Sequence, residues 1–161
     1  TPGGGATFRV LLPPYDEARA DAPTAAGAPS GSAPVPPPLS GRILVVDDEA
    51  IVGEFMAEFL ASRGLDVTVK SDPLEAMRWF DEDPNRVDLV LTDQTMPRMT
   101  GLELAQRLTS ERPALPVVLY TGYGDDIGPG ELGRHGVVAQ LRKPVEPAVL
   151  VELLRSHLSR I

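Results

Sequence analysis

Three aspartates, one threonine and one lysine carry the chemistry this sequence could support. Asp47 and Asp48 close the stretch "ILVVDD", Asp93 closes "VDLVLTD", Thr121 follows "VVLY", and Lys143 lies in "LRKP". Each stands at the end of a short apolar run. Adjacent carboxylates repel, and partial burial raises that cost, so a positive partner is required nearby. Three carboxylates with no histidine or cysteine among them form a hard-oxygen set. Its natural cation is Mg²⁺, which prefers a few carboxylates, retained waters and a phosphate. Of 15 basic residues only Lys70 and Lys143 are lysines. A compact ammonium contacts a single phosphoryl oxygen as a point charge, whereas guanidinium prefers a planar fork. Pro144 suits a rigid turn after Lys143 and a cis peptide bond.

These residues need elements to position them. Short β-branched runs at Ile43–Val46, Leu65–Val69, Val87–Leu91, Val117–Tyr120 and Val137–Leu141 alternate with amphipathic stretches. Continuous apolar strands separated by helices predict an α/β fold, with a parallel sheet covered on both faces. Such open sheets bind ligands beyond the carboxyl ends of their strands, near the topological switch point. In strand order 2-1-3-4-5, strands one and three are neighbours. The three acids then share one cleft, with Thr121 and Lys143 at its edge.

The helices carry their own signals. Ile51, Val52, Phe55, Met56, Phe59 and Leu60 recur at helical spacing. Asp72-Pro73-Leu74-Glu75 combines an N-cap, a first-turn proline and a capping-box glutamate, and Thr100–Glu103 is a second capping box. Val149, Leu150, Leu153, Leu154 and Leu158 stripe a last helix after Pro147. Gly128-Pro129-Gly130 interrupts the fourth helix, leaving Glu131–His135.

The formal charge of −8 disfavours a nucleic-acid partner. The absence of cysteine excludes a disulfide framework and a thiolate metal site. No apolar run approaches the ~18 residues of a membrane span. We therefore expect a cytoplasmic setting without membrane contact. The chain opens on Thr1, not Met, and we expect a piece of a longer protein. From Ala22 to Pro38 every residue is Pro, Ala, Gly, Ser or Thr except Val35, the composition of a semi-extended linker. We assign 15–40 to the linker and 41–161 to the folded domain. Before the linker, Ala6–Leu12 reads as one strand, and a lone strand is not a stable unit.

The pieces "ILVVDDE", "DLVLTDQTMPRMTGLEL", "VVLYTGYG" and "LRKP", in this order, make the chain from about Arg42 to Ile161 resemble a response-regulator receiver domain. The resemblance implies a flavodoxin-like (βα)5 three-layer sandwich with sheet order 2-1-3-4-5. It also implies roles. Asp93 would accept a phosphoryl group from a phosphohistidine. Asp48, Asp93 and the backbone carbonyl of Thr95 would bind Mg²⁺, with Asp47 acting through water. Lys143 would contact a phosphoryl oxygen, and Thr121 would move to hydrogen-bond another. Met96-Pro97 and Gly101 would shape the loop after Asp93. One departure stands out: receivers often place an aromatic switch residue three positions before the lysine, and here it is Gln140.

The N-terminal "GGGATFRVLLP" resembles the final strand of the ATP-binding domain of sensor histidine kinases. Residues 1–14 then read as the remnant of that domain, and the chain as the C-terminal end of a hybrid histidine kinase. The partners implied are a histidine kinase core, in cis or in trans, and a histidine phosphotransfer protein. Such a fragment lacks the kinase core and promotes only its own phosphorylation and dephosphorylation. Competing readings are a stand-alone response regulator with an N-terminal extension, and a receiver-like interaction module that is never phosphorylated. A Mg²⁺-dependent phosphatase with an aspartyl-phosphate intermediate would need a second acid shortly after Asp93, and "DQTMP" has none.

Other prominent residues have plainer readings. His135 and His157 read as helix-end residues, favoured by the helix dipole. Trp79 and Phe80 read as packing, Asp81-Glu82-Asp83 as a solvated helix end, and Gly122-Tyr123-Gly124 as a corner that lets Thr121 move.

Overall fold

The computed structural model of the chain describes residues 38–122 and 127–158. The N-terminal arm, the linker as far as Pro37, and Tyr123 and Gly124 of the expected corner lie outside the described residues. Five strands, β1 (Arg42–Val46), β2 (Asp66–Lys70), β3 (Leu89–Asp93), β4 (Val117–Thr121) and β5 (Val137–Arg142), alternate with α1 (Ala50–Ala61), α2 (Pro73–Glu82), α3 (Gly101–Glu111), α4 (Pro129–Arg134) and α5 (Pro147–Leu158). The sheet order is β2-β1-β3-β4-β5, with every pairing parallel. The expected three-layer fold is therefore present.

Alternation along the strands divides the core in two. Leu44, Val46, Val90, Val117 and Leu119 face Phe80 of α2 and Leu104 and Leu108 of α3, and Leu132 of α4 packs on the same cluster. Ile43, Val45, Leu89, Leu91, Val118, Tyr120 and Leu141 face Met56 and Leu60 of α1 and Leu150 and Leu154 of α5. Burying each such side chain stabilises the fold by about 1.5–3 kcal/mol relative to leaving it in water. Phe80 is fully buried, as its packing role predicts. Trp79 is partly buried and stacks under the Arg86 guanidinium, 3.9 Å from the ring centroid.

The structure shifts several expected boundaries. β3 starts two residues later than Val87, because a 3-10 turn at Pro84–Arg86 precedes it and the Asp88 carboxylate is taken up by Arg42 of β1 at 2.8 Å. The strand then runs on through Thr92 and Asp93, which pair with Val46 and Tyr120. α4 begins at Pro129 rather than Glu131, since proline is well suited to a first helical turn. Leu39, placed in the linker by its neighbours' composition, is buried against the α1/α5 face, and its N–H bonds to the Arg63 carbonyl at 3.0 Å.

Both expected N-caps form. Asp72 accepts from the Leu74 amide, and Thr100 and Glu103 make a reciprocal capping box. Glu75, in contrast, pairs with Lys70 at 2.6 Å instead of closing a box. The α1 stripe is only partly internal. Met56 and Leu60 are buried, whereas Ile51 is 83% exposed and Phe55 64% exposed.

Candidate functional site

Residue parity delivers the charged groups to one corner. Asp47 continues the side of β1 that carries Ile43 and Val45, and Asp93 continues the side of β3 that carries Leu89 and Leu91. Lys143 continues the side of β5 that carries Leu141. All three therefore emerge on the α1/α5 face at the carboxyl edge of the sheet. The Lys143 Nζ lies 2.8 Å from Asp93 Oδ1 and 3.6 Å from Asp47 Oδ2. The peptide bond between Lys143 and Pro144 is cis, as the sequence suggested.

Each acid has further partners. The Glu49 amide donates to Asp47 Oδ1 at 2.8 Å, and the Tyr120 hydroxyl donates to Asp47 Oδ2 at 2.8 Å. The Thr95 amide donates to Asp93 Oδ2 at 3.0 Å. Tyr120 also lies under Lys143, with Nζ 4.9 Å from the ring centroid, so one side chain contacts both Asp47 and Lys143. Asp48, next in the chain, is exposed at the rim.

Two buried carboxylates share one ammonium, and the electrostatics follow. Burial pushes the Asp93 carboxyl above its ordinary value, Lys143 opposes that rise, and Asp47 adds to it. Burial acts to lower Lys143, but the bond to Asp93 and the charge of Asp47 outweigh it and hold the ammonium above its usual value. Burial, and then the Asp47 charge, raise the Tyr120 phenol far above its ordinary range, so its hydroxyl remains a donor.

The loop from β3 to α3 is tied back on itself. The Gly101 amide bonds to the Gln94 carbonyl at 3.0 Å, and the Leu102 amide bonds to Gln94 Oε1 at 3.2 Å. A Cβ on Gly101 would stand 2.2 Å from the Asp93 carbonyl oxygen, so only glycine lets α3 start this close to Asp93. Arg98, in the same loop, adopts φ 72°, and its guanidinium reaches Asp72 Oδ2 at 2.7 Å. Thr121 is fully buried on the opposite side of the sheet, where the Gln140 side-chain amide donates to its Oγ1 at 3.0 Å.

An acid pair bridged by lysine at the carboxyl edge of a 2-1-3-4-5 sheet, beside a glycine-closed loop, is the arrangement expected of a receiver. Residues 43–155 match the response regulator receiver domain family. The chain belongs to that family. It is 30% identical over 160 residues to the sensor kinase CckA of Brucella abortus, a match covering 98% of this chain and 17% of that protein. It is 32% identical over 117 residues to the transcriptional regulatory protein FixJ of Bradyrhizobium diazoefficiens, covering 72% of this chain and 56% of that one. The crystal structure of a receiver domain protein from Clostridium thermocellum superposes with a TM-score of 0.71 at 30% identity, over 74% of this chain and 95% of that one. The chain thus spans little more than half, or far less, of the curated relatives named here.

Sequence reasoning named Asp47, Asp93 and Lys143, and the receiver fold brings them into contact. It did not single out Tyr120 or Gln94 as site residues. Tyr120 left a signal, because a phenol in an otherwise apolar buried strand needs a partner for its hydroxyl. Gln94 left none that distinguishes it from any loop amide. Among the described residues, no three acids or histidines converge as a ready metal cage. Asp47 and Asp93 form the buried core of the set, and Asp48 stands outside it. The donor chemistry nonetheless fits a hard divalent cation. All its ligating groups are oxygens, and the carboxylates of Asp47 and Asp93 outnumber the one ammonium of Lys143 beside them.

Proposed function

We propose that this receiver accepts a phosphoryl group from a phosphohistidine onto Asp93. The observation that carries the reading is Lys143 Nζ at 2.8 Å from Asp93 Oδ1 while still within 3.6 Å of Asp47. An Asp93 carboxylate oxygen attacks phosphorus, the phosphorus–nitrogen bond to imidazole breaks, and the imidazole leaves to take up a proton from water. The product is an acyl phosphate on Asp93 and a free histidine on the donor. Lys143 remains beside a phosphoryl oxygen as a fixed positive charge. Thr121 supplies a hydroxyl to a second oxygen once it leaves Gln140. Asp48, Asp93 and the Thr95 carbonyl would hold Mg²⁺, with Asp47 acting through water, and the ion would neutralise and orient the incoming anion.

The donor surface is proposed beside this site. Val52, Phe55, Met56 and Phe59 of α1 and Pro144, Val145, Pro147 and Leu150 line one groove with Lys143 and Tyr120. Exposed Ile51 and Phe55 make its rim attractive to the apolar face of a histidine-bearing helix. We further read the chain as the receiver end of a hybrid histidine kinase in the cytoplasm, with residues 1–14 ending the kinase ATP-binding domain and 15–40 as linker. The match to the sensor kinase supports this, because it covers 98% of the chain rather than the receiver alone.

Intact-protein mass spectrometry after incubation with a small acyl-phosphate donor tests the reading. One phosphoryl adduct that requires both Mg²⁺ and Asp93 is expected, and Asp93→Asn should show none. Absence of an adduct with the small donor and with a phosphorylated kinase alike would leave a pure binding module.

A further inference from the structure

The sequence places Gln140 where an aromatic residue is usual in receivers, and the structure shows what occupies that role. Gln140 and Thr121 lie on neighbouring strands, with Leu119 opposite Gln140 and Arg142 opposite Thr121 in the parallel register. Gln140 therefore sits two residues below Thr121, and its side chain reaches along the sheet to donate from Nε2 to Thr121 Oγ1 at 3.0 Å. Thr121 Oγ1 also lies 3.5 Å from the Leu141 carbonyl oxygen. The hydroxyl is thus committed to β5, on the side of the sheet away from Asp93 and Lys143. It is fully buried, so water does not substitute for a lost partner without cost. Thr121 accepts from Gln140 and directs its own proton at the Leu141 carbonyl, so to donate to a phosphoryl oxygen on Asp93 its Oγ1 must turn toward the other side of the sheet, away from both partners.

We propose that the Gln140 amide is a polar latch on Thr121: it holds the hydroxyl toward β5 in the unloaded domain and is released when Asp93 is loaded. This rests on the reading of Asp93 as the phosphoacceptor. The two positions of the Thr121 hydroxyl exclude each other, so loading Asp93 and parting Thr121 from Gln140 are linked reciprocally. Whatever draws Gln140 away raises affinity for the phosphoryl group, and loading in turn takes the Thr121 hydroxyl away from the Gln140 amide. Gln140 acts through Thr121 and is a positioning residue. An aromatic side chain at the same place would signal by turning a ring. An amide signals by exchanging a hydrogen-bond partner, which requires no large movement of the surface.

The test uses the whole chain with beryllium fluoride and Mg²⁺ as the phosphoryl analogue. In nitrogen-15 spectra, the side-chain NH₂ signals of Gln140, assigned in the unaltered protein through coupling to its own backbone, should shift on addition of the analogue. The same signals should not move in Asp93→Asn. Gln140→Leu, of similar volume but without a donor, should bind the analogue about two- to tenfold more tightly, the loss of one hydrogen bond opposing Thr121. Wild-type protein that binds the analogue while the Gln140 signals stay fixed overturns the latch. So does equal or weaker binding by a folded Gln140→Leu. Wild-type protein that neither binds the analogue nor becomes phosphorylated overturns the phosphoacceptor reading itself, and the latch with it. The spectra of the unaltered protein decide the matter even if the variant does not fold.

Discussion

The Tyr120 hydroxyl donates to Asp47 Oδ2 at 2.8 Å, joining the carboxyl end of β4 to a fully buried carboxylate that follows β1, two strands away. The bond spans 73 positions of sequence. It satisfies an acid that Lys143 reaches only at 3.6 Å. Tyr120→Phe leaves that oxygen without its nearest donor and should cost about 1–3 kcal/mol in urea unfolding. Because the phenol is held far above its ordinary range, this cost should not change between about pH 6 and pH 9. Unaltered stability would show that water replaces the hydroxyl freely.

Lys143→Met removes the cation shared by Asp93 and Asp47. Lys143 is 28% exposed, so the stability loss should fall short of that for a fully buried pair, at about 1–3 kcal/mol. The chemical effect should be larger, with phosphorylation of Asp93 slowed roughly a hundredfold at saturating donor. Labelling at the wild-type rate would remove Lys143 from the site.

The Asp93 carboxyl sets a pH dependence with a definite sign. Its folded value is raised, so just above the ordinary carboxylate range the folded protein holds more protons than the unfolded chain. The contribution of this group to stability then falls as pH rises through that window. Lys143 is also raised, and its contribution is complete throughout this range, being lost only at strongly alkaline pH. Unfolding free energies of the wild type and Asp93→Asn, compared from about pH 4 to about pH 7, should show the Asn variant gaining on the wild type as pH rises. A flat difference would contradict the assigned burial.

Two glycines should respond in opposite ways. Gly101→Ala puts a Cβ 2.2 Å from the Asp93 carbonyl oxygen and 2.5 Å from Leu119 Cδ1, so the start of α3 must withdraw from the site. A loss of about 1–3 kcal/mol is expected, together with slower phosphorylation. Gly130→Ala in α4 meets nothing within 4 Å and should be stabilising by about 0.4–1 kcal/mol. Thermal unfolding of the two variants side by side checks both.

Ile51→Ser with Phe55→Ser tests the proposed donor surface. Both side chains are largely exposed, so stability should change by no more than about 0.5 kcal/mol each. Phosphorylation by the small acyl-phosphate donor should be unchanged, while transfer from a phosphorylated histidine protein should slow. Equal slowing with both donors would place the effect inside the site instead.

Much of this protein was legible in its sequence because its signals are local. Four oily residues before Asp47-Asp48, the caps at Asp72 and Thr100, and the regular alternation of runs depend only on near neighbours, and the elements formed where those neighbours dictate. The family motifs added the strand order, and with it the expectation that residues 47, 93 and 143 meet. Their actual contacts depend on parity across three strands, which a one-residue register shift would reverse. Tertiary packing decided that Tyr120 serves Asp47, that Gln140 holds Thr121, and that Leu39 leaves its proline-rich surroundings to enter the core. It also left Ile51 and Phe55 outside. The periodicity of a helix reveals its apolar side, but only the elements packed around that helix determine how much of the side is covered.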